Sequence, residues 1–371
     1  MTALKRLTGL SVIQVLVAVI LALPASDGMA QEKFKLKLQA AFPSSTKFYQ
    51  GFEMFIERVQ TMSGGRIEIE GHPGGAIVPS FEVLDATARK VLDGGFSAAA
   101  YYVGKNRAAA LFGPAPGGPY GFDMMDYMGW VHEGGGLELY REFFKDVLKR
   151  DVVVFPMVPV ANQVLGWFNR PIKGWDDLSD IKCRATGITG EVMSKSGMKT
   201  VNMAGGEIVP AGERGIINCG EWAGPAEDLS MGFHQIWKHY YLSSAHEPAT
   251  VLELLINGEV WRSLPKDLQQ IIEAATWEVT FRYQVMTHWN NAVALKELVA
   301  AGVTVYKTPD SILQGQLKAW DEIVKEESAK NPFFKKVIDS QREYASVVVP
   351  TRRMVDTDYR WLADYYWPES K

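Results

Sequence analysis

Cysteine is almost missing from this chain: its 371 residues hold two, Cys183 and Cys219. So few exclude a disulfide-built scaffold, and their separation excludes the C-x-x-C spacing of a redox or zinc site. Two small buried side chains is the favoured reading, although an exported chain could join them. Histidine is scarce too. The six, among them His234, His239 and His246, show no H-x-x-x-H or H-E-x-x-H spacing, which excludes the helical zinc-protease pattern. The glycine runs Gly134-Gly135-Gly136 and Gly205-Gly206 lack the Lys-Ser/Thr that completes a phosphate loop, and no G-x-S-x-G elbow is present. There is no excess of positive charge: the net charge is −4, which argues against a nucleic-acid partner. Internal repeats and low-complexity stretches are missing as well. Beyond the N-terminus, no apolar run is long enough to span a bilayer.

That N-terminus has its own pattern. Lys5 and Arg6 precede an apolar run from Leu10 to Leu23; Pro24 breaks it, and Gly28-Met29-Ala30 supplies small residues. The run is about 14 residues, short of the roughly 20 of a spanning helix. It predicts a secretory signal peptide over residues 1–30, cut after Ala30, and a periplasmic location. Without Lys5, Arg6 and Asp27 the charge becomes −5. The remaining chain exceeds one ordinary domain and predicts two lobes.

Periodicity sets the elements. Residues 34–42 and 66–70 alternate as strands. Between them Phe48, Phe52, Phe55, Ile56 and Val59 make a helical stripe behind Ser44-Ser45-Thr46. Pro79 opens a helix with Phe81, Leu84, Ala88 and Val91 on one face, reaching Gly94-Gly95, and Phe96 to Val103 reads as a buried strand. This order predicts a parallel α/β sheet. Segment 106–136, rich in Gly, Pro and Met, covers the lobe junction. Further strands are read at 152–155, 164–168, 181–185, 216–222, 249–257 and 303–307. Pro265 starts a helix running to about Val299, long enough to touch both lobes. Residues 310–345 are helical, and the tail over 350–368 carries Tyr359, Trp361, Tyr365, Tyr366 and Trp367. So aromatic a tail has to pack on something, its own lobes or a partner subunit.

Two strand ends carry candidate chemistry. Arg184 closes Ile181-Lys182-Cys183-Arg184, and Glu221-Trp222 follow Cys219-Gly220. A guanidinium fork matches a carboxylate with two parallel hydrogen bonds. A glutamate in the same pocket repels that ligand unless a cation sits between them.

In order and spacing, Ala41-Phe42-Pro43-Ser44, Tyr101-Tyr102-Val103-Gly104-Lys105, Gln163-Val164-Leu165-Gly166-Trp167-Phe168, Cys183-Arg184, Ala204-Gly205-Gly206-Glu207 and Glu221-Trp222-Ala223-Gly224-Pro225 resemble the solute-binding subunit of a tripartite ATP-independent periplasmic (TRAP) transporter. The similarity covers the whole mature chain and is closest to the branch that binds 2-oxoacids such as pyruvate, or lactate. It implies an α/β two-lobed periplasmic-binding-protein fold, type II-like, with a long helix spanning both lobes and a C-terminal helical tail. The division it implies is lobe I over 31–152 plus 247–285, lobe II over 153–246 plus 286–345, and a tail over 346–371. It implies that Arg184 takes the ligand carboxylate, that Gln163 reaches ligand and ion, and that Glu221 and the Trp222 carbonyl bind the ion. Glu247 is the further acid, with His246 its rival if the loop slips by one. Phe42 and one of Tyr101 and Tyr102, preferably Tyr101, wall the pocket. All-oxygen ligands suit Na⁺ or Ca²⁺; no organic cofactor and no catalysis are implied. The partners are membrane permease subunits, with a possible homodimer through the tail. Two segments depart from the family pattern, 106–128 and Leu242-Ser243-Ser244-Ala245-His246. The competing classes are an exported carboxylate-acting enzyme using Glu221 or His246, and a sensory module that presents its ligand to a receptor.

Overall fold

The computed structural model describes residues 32–113 and 119–368. The signal peptide read over 1–30 lies outside them. The elements run β1 (Phe34–Ala40), α1 (Lys47–Met62), β2 (Ile67–His72), α2 (Val83–Ala88), β3 (Gly94–Ser97), α3 (Met124–Glu133), α4 (Gly136–Glu142) and β4 (Val152–Val160). Then come β5 (Gly166–Phe168), β6 (Lys182–Arg184), α5 (Gly187–Ser194), β7 (Lys199–Val201), α6 (Gly205–Glu213), β8 (Cys219–Gly220), α7 (Pro225–Met231) and β9 (His239–Leu242). The chain ends with β10 (Thr250–Asn257), α8 (Gly258–Ser263), α9 (Lys266–Ala300), β11 (Thr304–Lys307), α10 (Asp310–Lys330), α11 (Pro332–Val355) and α12 (Tyr359–Tyr366).

Two mixed sheets make the two lobes. The first has the order β2-β1-β3-β10-β4, the second β11-β9-β5-β8-β6-β7. In the first, β1, β2 and β3 are parallel as expected, and β10 returns antiparallel to both β3 and β4. Alternation works as predicted in β1, where Leu36 and Leu38 are buried between exposed Lys35 and Lys37. Thr46 caps α1 by accepting from the Tyr49 amide, and Phe48, Phe52, Phe55 and Val59 form the buried stripe. Helix α9 spans 35 residues, about 50 Å at 1.5 Å per residue. It packs on β4 and α1 of the first lobe and on α7 of the second.

Several boundaries differ from the sequence reading. The helix after Pro79 ends at Ala88, because Lys90 turns left-handed (φ 59°), and this leaves Val91 exposed. The strand read over 96–103 stops at Ser97. β1 pairs with it only as far as Ala40 opposite Phe96 and β10 only as far as Glu253 opposite Ser97, and past both ladders the chain winds into a 3₁₀ turn over Ala99–Tyr102. The strand over 216–222 shrinks to Cys219–Gly220. β4 runs on to Val160 and bonds into the first sheet, which moves the crossing placed at residue 152 past Val160. Arg107–Leu111 and α3 pack on α11, so segment 106–136 meets the C-terminal helices. Among the described residues no helix is long and apolar enough to cross a membrane.

Candidate functional site

Phe42, Tyr101, Gln163, Arg184, Glu221, Trp222 and Glu247 line one cavity of about 40 Å³, walled from both sheets. Strand register builds its centre. β6 and β8 are parallel neighbours with Arg184 opposite Gly220, which sets Arg184 beside Glu221. The same register puts Cys183 opposite Cys219, and the two form a disulfide with Cα atoms 4.3 Å apart. This corrects the expectation of two unpaired residues. Sequence spacing cannot show that positions 36 apart face each other across a ladder.

Arg184 is 2% exposed. Its Nη1 donates to Glu221 Oε1 at 2.7 Å and to the Glu221 carbonyl at 2.8 Å, and its Nε donates to the Met203 carbonyl at 3.2 Å. Nη2 makes no hydrogen bond among the described residues. Half the fork is thus committed to Glu221, and a ligand carboxylate gains two parallel bonds only if Glu221 yields Nη1. The Trp222 ring lies 5.3 Å from the guanidinium carbon and packs on Phe42 and Phe48 across the cavity. Gly205 opens α6 against this ring; a Cβ there would stand 2.5 Å from it.

Gln163 and Glu247 come from opposing loops. The Gln163 amide donates to the Glu247 carbonyl at 3.1 Å, and its side-chain Nε2 donates to Glu247 Oε2. Thr189 donates to Glu247 Oε1 at 3.0 Å. Gln163 Oε1 is buried without a partner. Burial raises the pKa of both Glu221 and Glu247. Repulsion from Glu221 lifts Glu247 further, well above the usual carboxylate range, while Arg184 opposes the shift at both. Burial also pushes the Tyr101 hydroxyl to about 12.

Tyr101 lines the cavity and Tyr102 does not. The reason is the 3₁₀ turn rather than strand alternation: Tyr102 is fully buried on the other side, against Phe144. Glu247, not His246, lines the cavity. His246 bonds Ser244 through Nδ1, and burial drops its pKa to about 3. Sequence reasoning missed Thr186, Thr189, Phe48 and Thr250. The first two flank Gly187 just after Arg184, in Thr-Gly-Ile-Thr, and that cluster of hydroxyls at a strand end was the available signal. It also missed the buried acids Glu227 and Asp228 behind Trp222, where burial pushes both carboxyls up to about 7. Two acids in a helix's first turn read from sequence as ordinary dipole partners.

A match to known proteins is carried by residues 39–331, which fit the family described as bacterial extracellular solute-binding protein, family 7. The chain belongs to this family. Its members are solute-binding receptors rather than enzymes. A monocarboxylate 2-oxoacid-binding periplasmic protein of Nostoc sp. (strain PCC 7120) is 30% identical over 327 residues, 88% of each chain. A TRAP transporter solute-binding protein from Bordetella bronchiseptica RB50 superposes with a TM-score of 0.84 at 28% identity, covering 91% of this chain and 98% of that one. That structure is a mixed-occupancy dimer with copurified calcium and picolinate in its active site. A TRAP periplasmic solute-binding protein from Pseudoalteromonas atlantica T6c, with bound sodium and pyruvate, superposes with a TM-score of 0.81 at 29% identity, covering 89% and 99%. The family's two-lobed α/β fold is therefore shared along nearly the whole described chain.

Proposed function

We propose that this receptor works in the periplasm, captures a small 2-oxoacid monocarboxylate such as pyruvate together with Na⁺ or Ca²⁺, and delivers it to TRAP-type permease subunits. The observation that carries this reading is a charge imbalance: two buried carboxylates, Glu221 and Glu247, share one guanidinium. With both acids ionised, a ligand carboxylate would add a second uncompensated negative charge in a small, buried space, which is costly unless a proton or a cation accompanies it.

The residues present fit such an ion. Gln163 Oε1 is an orphaned buried acceptor, and Glu221 together with the Trp222 carbonyl would complete an oxygen set suited to Na⁺ or Ca²⁺. A bound cation would supply the charge that lets a carboxylate sit between these acids. The chain's own groups do the rest. Arg184 Nη2 would take a carboxylate oxygen, and Nη1 would join it once Glu221 Oε1 gives up its bond. Phe42, Tyr101 and Trp222 exclude water, strengthening each charged contact. Pyruvate and picolinate share one chemistry, a carboxylate with an acceptor atom on the adjacent carbon, and this supports a 2-oxoacid over a simple fatty acid. Thermal melting against a panel of carboxylates, each with Na⁺, Ca²⁺ or chelator, tests the reading. A cation-dependent rise with pyruvate or a longer 2-oxoacid is expected. A rise only with diacids or sugar acids, or one indifferent to cations, would overturn it.

The same reading includes a homodimer. The tail side chains Trp361, Tyr365 and Trp367 are 68%, 75% and 81% exposed, so among the described residues these aromatic rings are left largely uncovered. On α9, Trp277, Phe281, Val285 and Trp289 form an exposed apolar stripe at four-residue spacing. Two such surfaces in one molecule fit each other in a second copy. Removing residues 357–371 should convert a dimer to a monomer in light scattering; a monomer before truncation would refute the assembly.

A further inference from the structure

The charged groups of the cavity are buried: Arg184, Glu221 and Glu247 are 2%, 4% and 4% exposed. The walls come from both sheets, so parting the lobes uncovers them. Every bond that joins the lobes therefore helps to set how often the site opens.

One side chain makes such a bond next to the cavity wall. Glu227 sits in the first turn of α7, between strands β8 and β9 of the second sheet. Its Oε1 accepts from the Phe48 amide at 2.6 Å and from the Tyr283 hydroxyl at 3.2 Å, and its Oε2 accepts from the Trp222 indole N–H at 3.4 Å. Phe48 lies in the first turn of α1, between strands of the first sheet. Its amide is one of the helix's orphan donors, and a carboxylate there also meets the positive end of the helix. Tyr283 belongs to α9, which touches both lobes. Glu227 thus joins the second lobe, the first lobe, the spanning helix and a wall of the ligand cavity. Its neighbour Asp228 stays within the second lobe, accepting from the Trp167 indole at 2.9 Å, the Tyr240 hydroxyl at 2.9 Å and the Ala223 amide at 3.2 Å. The pair has a division of labour: Asp228 fastens the Glu221-Trp222 loop to its own lobe, and Glu227 carries that loop across to the other.

We infer that Glu227 is a positioning residue that latches the closed state. Its carboxylate reaches the α1 amide only when the lobes are together, and in the same position it holds the Trp222 indole against Phe42 and Phe48. Closure and assembly of the cavity wall become one event. In the open state the carboxylate and the Phe48 amide are each hydrated, so the latch biases the equilibrium without locking it. The inference rests on the receptor reading only for its ligand; the latch itself is a property of the ligand-free protein.

The test uses the full mature protein with three variants. Glu227→Ala removes every bond. Glu227→Gln keeps an acceptor for Phe48 but turns a donor toward the Trp222 indole. Tyr283→Phe deletes one hydroxyl and serves if the first two fold poorly. Stopped-flow measurement of pyruvate release in Ca²⁺ or Na⁺ should show koff about ten-fold faster for Glu227→Ala and Glu227→Gln, and about three-fold faster for Tyr283→Phe, with kon raised rather than lowered because more of the ligand-free protein is open. Small-angle scattering of the ligand-free protein should show a larger radius of gyration for Glu227→Ala than for the parent. A parent-like koff and radius, or a lower melting temperature with koff unmoved, would overturn the latch and leave a structural acid. If the parent binds no carboxylate with any cation, the receptor reading fails, and the ligand-free scattering comparison still decides the latch.

Discussion

Arg184→Met tests the centre of the site. The side chain keeps its bulk but loses its charge and its three bonds to Glu221 and Met203. Glu221 is then a buried carboxylate without a counter-charge, and Glu247 faces it across the same cavity. Breaking a buried pair from one side costs about 3–5 kcal/mol. Adding Glu221→Gln removes the stranded charge, so the double variant should recover at least half of that loss. Pyruvate binding should not recover, because the carboxylate partner is gone; a loss of about 100-fold or more is expected in both variants. The pH dependence has a definite sign. Burial already raises Glu221, and the guanidinium, helped by a backbone hydrogen bond from Thr186, opposes it. In Arg184→Met its folded pKa rises further above the unfolded value, so the folded state takes up a proton as pH falls. The single variant's deficit should shrink between pH 7.5 and pH 5.5. Urea unfolding at both pH values gives stability, and calorimetric titration with pyruvate and Ca²⁺ gives affinity. A single variant as stable as the parent, or a double variant no better than the single, would refute the idea that Arg184 neutralises a buried acid.

Cys183→Ser with Cys219→Ser opens a loop whose ends are 36 residues apart; the chain-entropy relation puts the cost at about 4 kcal/mol, and unfolding under non-reducing conditions measures it. Gly205→Ala drives a Cβ to 2.5 Å from the Trp222 ring, whereas Gly206→Ala meets only Pro43 at 3.7 Å; the first should weaken ligand binding at least ten-fold in titration and the second should not. Glu253 is fully buried in β10, and burial pushes its carboxyl to about 8 despite the nearby hydroxyls of Tyr102 and Tyr140. Its stabilising share is complete below the ordinary carboxylate pKa and is lost as pH rises through about 8, so Glu253→Gln should flatten the fall in stability from pH 5 to pH 8; an unchanged slope in melting curves would contradict this.

Much of this protein is legible locally. The alternation of Leu36 and Leu38 with lysines, the stripe from Phe48 to Val59 and the uninterrupted run after Pro265 each contain their own period, and each became the element expected. A strand or helix needs only its neighbours in sequence to bury the right face. The residue types at two strand ends, Arg184 and Glu221-Trp222, were likewise visible, as was the aromatic tail. What tertiary structure decided concerns pairs distant in sequence. Whether Cys183 meets Cys219 depends on the register of two parallel strands. Whether Tyr101 or Tyr102 faces the cavity depends on where β3 leaves its ladders with β1 and β10. That Arg184 spends Nη1 on Glu221, that Gln163 Oε1 is left without a donor, and that Glu227 spans to the first turn of α1 all follow from how the lobes meet. The chain's local periods determine which surfaces are apolar and which ends carry charge. Only packing determines which buried charges must share a partner, because burial raises the cost of each unpaired group far above what any local sequence pattern records.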